Sequence, residues 1–69
     1  MGKFSERLKE LRKEKGITQE KLAEETGLTQ GALTRYENGL RSPAVYAIIT
    51  LAKYFNVTTD YLLGVTDDY

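Results

Sequence analysis

The sequence predicts an all-α fold, a compact globule of five short helices. Three observations carry this. Glycine and proline punctuate the chain (Gly16, Gly27, Gly39, Pro43, Gly64), dividing it into segments of helical length. Within those segments the apolar residues recur at helical spacing and almost nowhere alternate. Three threonines, Thr18, Thr29 and Thr58, each stand just ahead of a segment, where a hydroxyl can accept from the free N–H groups of a first turn.

Taken in order, Phe4, Leu8 and Leu11 fall at i, i+4 and i+7, and Gly16 follows as a stop. Helix 1 is therefore expected over about 3–15. Thr18 caps a second helix over about 19–26, ended by Gly27. Thr29 caps a third over about 30–38, ended by Gly39. Ser42 followed by Pro43 reads as a cap with proline at the first helical position. The fourth helix is then expected to turn Val45, Ile48, Leu51, Ala52 and Phe55 inward. Thr58 opens a fifth through Leu63, and Gly64 ends it.

The residue before each threonine cap is apolar, as is the fourth helical residue: Ile17 with Leu22, Leu28 with Leu33, Val57 with Leu62. Such pairs staple the incoming chain to the helix. Full capping boxes are absent, because the third helical positions are Lys21, Ala32 and Tyr61. Helices this short cannot persist on propensity alone, so packing must order them.

The 69 residues make one domain, expected over 1–65, with an acidic tail over 66–69. The chain has no cysteine, which excludes disulfides and suits a reducing compartment. It also has no histidine, the commonest general base and zinc ligand. No carboxylate pair is placed for acid–base work, so an enzyme is not expected, nor is a cofactor or metal. No apolar run approaches the roughly 20 residues of a membrane span, and the N-terminus lacks a signal-peptide core, so the expected location is cytoplasmic. Met1-Gly2 resembles an acylation start, but Lys3 and Glu6 weaken that reading.

Ten basic and ten acidic residues cancel, which by itself argues against nucleic acid. Their distribution is uneven. Residues 3–15 carry Lys3, Arg7, Lys9, Arg12, Lys13 and Lys15 against Glu6, Glu10 and Glu14, while Asp60, Asp67 and Asp68 in the last dozen residues face no basic residue. Charge alone reads as a solvated helix face and a solubilising tail.

The connection Gly27-Leu28-Thr29 has the length and glycine content of a helix-turn-helix. Ala23 suits the close crossing of such a pair. With Leu22 and Leu33 inward, residues Gln30, Gly31, Thr34 and Arg35 form a stripe on the other side of helix 3. Glutamine and arginine are bidentate side chains that can read adenine and guanine edges in a major groove.

On the stretches LRKEKGITQEKLAEETGLTQGALTRYENGLRSP (11–43) and LAKYFNVTTDYLLG (51–64), the chain resembles the Cro/repressor-type (Xre-like) helix-turn-helix family, with its lambda-repressor-like five-helix domain. The resemblance covers essentially the whole chain. It implies a sequence-specific transcriptional regulator of double-stranded DNA, a repressor, which inserts helix 3 into the major groove of operator half-sites as a dimer. It implies base reading by Gln30, Gly31, Thr34 and Arg35, and phosphate contacts by Thr18, Gln19, Thr29, Asn38 and Arg41, with Ser42 nearby. A phosphate at Gln19 suits the free N–H groups and positive dipole end of a helix start. Arg12 and Glu37 match a structural salt bridge between helix 1 and the end of helix 3.

Two positions depart from the family pattern. Gly31 stands where relatives often place a base-reading side chain, and Leu40 where many carry a basic loop residue. With zero net charge, these departures imply modest affinity for a monomer. Helix-turn-helix proteins usually bind two half-sites as a twofold dimer. A homodimer through the C-terminal end, near helix 5, is expected, with Tyr46, Ile49, Tyr54, Tyr61, Leu63, Val65 and Tyr69 as its apolar surface. The alternative is an antitoxin-like or accessory protein-interaction module on the same helices.

Overall fold

A computed structural model describes residues 2–69; Met1, and the acylation reading that rests on it, lies outside the described residues. Among those residues five helices follow one another: α1 (Gly2–Lys15), α2 (Gln19–Thr26), α3 (Gln30–Glu37), α4 (Val45–Phe55) and α5 (Thr59–Leu63). They form an all-helical body of 28 × 23 × 20 Å.

Three of the helix starts are built alike. The hydroxyls of Thr18, Thr29 and Thr58 accept from the amides of Lys21, Ala32 and Tyr61 at 3.0, 3.1 and 3.0 Å. Behind each cap, Leu22, Leu33 and Leu62 are fully buried, and Ile17, Leu28 and Val57 pack against the core. The helix ends are equally regular. Ile17, Leu40, Val57 and Val65 each donate a backbone N–H to a carbonyl five residues back, the bond that closes a helix over a left-handed residue. The left-handed residues at these four ends are Gly16, Gly39, Asn56 and Gly64; Gly27, also left-handed, ends α2 with its own amide bonded to the Ala23 carbonyl.

The core gathers Phe4, Leu8 and Leu11 of α1, Leu22 of α2, Leu33 and Tyr36 of α3, and Ala47, Leu51 and Ala52 of α4 around Leu62 of α5. Phe4 meets Tyr36 edge-on, with ring centroids 5.7 Å apart. α1 packs on α3 and α5, and α2 on α3 and α4. The pair α2–α3 is thereby held from behind by both other long helices.

The structure departs from expectation at two elements. Ser42-Pro43 does not begin α4: the N-cap is Ala44, extended at φ −71° and ψ 153°, with no side-chain cap bond. Ala44 packs against the core, and its carbonyl accepts from Ala47 and Ile48. Docking this small residue sets the helix phase, so the buried stripe is Ala47, Leu51 and Ala52, while Val45, expected inward, is 72% exposed. The local Ser-Pro signal yields to packing. α3, expected through residue 38, stops at Glu37, with Asn38 as its cap.

Residues 66–69, expected as a separate acidic tail, lie against α1 and α5. Arg7 of α1, 11% exposed in its side chain, donates to the carbonyls of Tyr61 and Thr66 at 2.7 and 2.6 Å, and to the Asp67 carboxylate at 2.5 Å. Its guanidinium stacks 4.0 Å over the Tyr61 ring. The Thr58 amide donates to the Tyr69 carbonyl at 2.8 Å, and the rings of Tyr61 and Tyr69 are in contact. An arginine that finds two carbonyls, a carboxylate and an aromatic face orders what composition alone presents as a linker.

Candidate nucleic-acid interface

α3 turns Leu33, Tyr36 and Glu37 into the protein and leaves Gln30, Gly31 and Arg35 exposed. These three, with the half-buried Thr34, form the stripe expected of a reading face. Gly31 lies in regular helix, and a Cβ placed there would meet only the Arg35 Nη1 atom, at 3.7 Å. The backbone therefore does not require glycine here. The Arg35 guanidinium instead lies back across the space that a side chain at position 31 would fill.

Beneath this face is a polar network. Arg12 Nε donates to Glu37 Oε2 at 2.6 Å, and Arg12 Nη2 to Oε1 at 3.0 Å, a bidentate ion pair between α1 and the end of α3. The third Arg12 nitrogen donates to the Ile17 carbonyl at 2.9 Å, just ahead of α2. Glu37 is 4% exposed, which makes the pair costly to break. Its hydrogen bond raises the Arg12 pKa above the usual range, against the opposing effect of burial.

Gln19, at the first position of α2, joins the same network. Its Nε2 donates to Glu37 Oε1 at 3.1 Å, and its Oε1 accepts from the Thr34 hydroxyl at 2.7 Å. A carboxylate can only accept, so the amide nitrogen must face Glu37 and the oxygen must face Thr34. The Thr34 hydroxyl also points to the Gln30 carbonyl at 3.0 Å. Two residues expected to face DNA outright, Gln19 and Thr34, thus have side-chain bonds within the protein. Sequence spacing places Gln19 at the start of α2 and Thr34 on α3 but carries no signal of the bond between them.

The remaining expected residues lie around this face. Thr18 and Thr29 are exposed, and their hydroxyl oxygens are engaged as caps. Asn38, Arg41 and Ser42 are exposed in the connection after α3, with the Arg41 guanidinium 5.9 Å from the Tyr36 ring centroid. The backbone of Asn38-Gly39 is fixed by bonds from the Asn38, Gly39 and Leu40 amides to Thr34, Tyr36 and Arg35.

Comparison with known proteins places this architecture. The helix-turn-helix family model matches residues 8–62. The chain belongs to the helix-turn-helix family, of the Cro/repressor type. It is 43% identical over 60 residues to the uncharacterized HTH-type transcriptional regulator YqaE of Bacillus subtilis, covering 87% of this chain and 52% of that protein. It is 41% identical over 61 residues to the HTH-type transcriptional regulator ImmR of the same organism, covering 88% and 48%. The chain spans about half the length of these curated relatives. Among solved structures, the restriction-modification controller protein C.AhdI of Aeromonas hydrophila superposes with a TM-score of 0.80 at 36% identity, over 88% of this chain and 92% of that one. The family is one of DNA-binding regulators and not of enzymes. Among the described residues, no helix is long and apolar enough to cross a membrane.

Proposed function

We propose that this helix-turn-helix protein is a cytoplasmic, sequence-specific DNA-binding transcriptional regulator that docks α3 in the major groove. One observation carries the reading: Gln30 and Arg35 stand exposed on one face of a helix whose opposite face is locked by Leu33, Tyr36 and the Arg12–Glu37 pair. Glutamine can bridge adenine N6 and N7, and arginine can bridge guanine O6 and N7. Gly31 adds no side chain between them, so the backbone there can be approached closely once Arg35 swings out towards a base. The free amides at the start of α2, with Thr18, Thr29, Asn38 and Arg41, supply donors for backbone phosphates.

With zero net charge there is little bulk attraction to DNA, so affinity must come from local contacts and from pairing of copies. A homodimer reads two half-sites about 34–36 Å apart. Exposed Tyr46 and Ile49 on α4, and Val65 and Tyr69 at the C-terminal end, support an apolar contact there. Tyr54 and Tyr61 contribute less, because each has partners within the chain. Occupying a site hinders other proteins on the same DNA without any further contact, so repression is the output that needs the fewest parts.

Selection of bound duplexes from random DNA, followed by binding titrations in salt, tests the proposal. The logarithm of affinity should fall with the logarithm of salt at about −0.9 per phosphate contacted. Arg35→Ala should cost about 1–3 kcal/mol and relax preference at one base position. A verified dimer that binds no duplex at low salt would favour the protein-interaction reading instead.

A further inference from the structure

Gln19 is the point at which α2 and α3 are joined by side chains, and that junction has a direction. Its amide oxygen is held by the Thr34 hydroxyl at 2.7 Å and its nitrogen by the Glu37 carboxylate at 3.1 Å. Glu37 is itself oriented by two bonds from Arg12. Reversing the amide would set its oxygen against the Glu37 carboxylate, two acceptors with no proton between them, and would give up the bond in which the Thr34 hydroxyl donates to that oxygen. The amide therefore has one stable setting. That setting uses the oxygen and one N–H, leaving the second N–H for an acceptor outside the protein.

We infer that Thr34 is a positioning residue for DNA-backbone contact, not a base reader, and that it acts by fixing the Gln19 side chain in the single orientation that offers this N–H to a phosphate. The inference rests on the DNA-binding reading above. Preorganisation of this kind raises affinity by removing the ordering cost from the binding step. Because a phosphate looks the same at every base pair, loss of the clamp weakens binding to all sequences without altering which is preferred. Base preference is left to Gln30 and Arg35, whose side chains are outside the clamp.

The test compares Thr34→Val, which keeps the shape and removes the hydroxyl, with Thr34→Ser, which keeps the hydroxyl. The DNA probes are a duplex selected by the wild-type protein and a random duplex of equal length. Thr34→Val should bind both about three- to tenfold more weakly, the effect of one lost hydrogen bond. Its salt slope should be shallower by about one contact, and its selected consensus unchanged. Thr34→Ser should restore most of the loss. In the DNA-free protein, nuclear magnetic resonance should find the Gln19 side-chain amide ordered in the wild type and in Thr34→Ser, but as mobile as that of Gln30 in Thr34→Val.

Three results would overturn the inference while leaving DNA binding intact: a changed preference at one base position in Thr34→Val, unchanged affinity for both duplexes, or a Gln19 amide already mobile in the wild type. A wild-type protein that binds neither duplex at low salt, with its Gln19 amide ordered, would overturn the DNA-binding reading and this inference together.

Discussion

At the scale of single residues, the protein separates side chains that hold the fold from those left available to a partner. Glu37 belongs to the first kind. It is buried, accepts from both Arg12 and Gln19, and closes the junction of α1, α2 and α3. Removing one member of a buried pair strands the other, at a typical cost of about 3–5 kcal/mol. A domain of this size has a total stability of roughly 3–10 kcal/mol. Glu37→Ala should therefore lower Tm by well over 10 °C and leave a sizeable unfolded fraction in mild urea. A melt within error of the wild type would show that the pair does not hold the fold. Gly31 belongs to the second kind. A helical glycine at an exposed site costs about 0.5–1 kcal/mol relative to alanine, and a Cβ there meets only Arg35. Gly31→Ala should raise Tm by a few degrees. If the backbone at Gly31 approaches DNA closely, the same variant should bind its selected duplex more weakly. Unchanged binding would mean that this protein does without a contact at position 31.

At the scale of elements, what was legible in the sequence is what short-range chemistry decides. The threonine caps, their flanking apolar pairs and the left-handed stops fix α1, α2, α3 and α5 to within a residue or so, because each involves groups no more than five residues apart. The start of α4 was not legible. There a proline signal competed with the docking of Ala44, and docking depends on helices distant in sequence. The order of residues 66–69 was illegible for the same reason, since Arg7 reaches them across about sixty positions. The reading face follows the same division. The exposed positions of Gln30 and Arg35 follow from helix period, whereas the clamp on Gln19 joins residues from three helices. Two element-level outcomes follow. Gly64 has φ +84°, and a Cβ there would stand 2.5 Å from the Lys3 Cβ, so Gly64→Ala combines backbone strain with a clash of α1 against the end of α5. It should destabilise by about 1–3 kcal/mol, measured in urea. Arg7→Ala should release the terminal segment, seen as faster hydrogen exchange at the Thr58 amide, which bonds the Tyr69 carbonyl. Protection at Thr58 that survives the substitution would mean that Tyr61–Tyr69 packing alone holds the segment.

At the scale of the whole molecule, neutrality hides a specific electrostatic arrangement, and its pH dependence can be worked out. α2 is tied to α4 by a hydrogen bond from the Tyr54 hydroxyl to the Glu25 carboxylate. Lys21 stands 3.6 Å from the same carboxylate, and Lys15 of α1 lies 5.0 Å from the centre of the Tyr54 ring. The Tyr54 hydrogen bond, helped by attraction to Lys21 and Lys15, holds the Glu25 carboxyl below its ordinary value, with desolvation opposing. A carboxyl lowered on folding contributes stability that is fully present above its unfolded value of about 4.3 and is lost as pH falls through the lower folded value. The hydrogen bond lies at the surface although the Tyr54 ring is partly buried, so the effect is small and should be read as a difference between two proteins. Tyr54→Phe should be less stable than the wild type near pH 7, and the gap should narrow as pH falls below the unfolded value and Glu25 becomes protonated in both states. Urea unfolding across that range measures it. Curves that stay parallel to the acid limit would mean that the ring, through its packing against Phe55, and not its bond to ionised Glu25, supplies what Tyr54 contributes. Convergence would establish that α2, whose first residue is clamped by α3 at one end, is also held through its charge at the other.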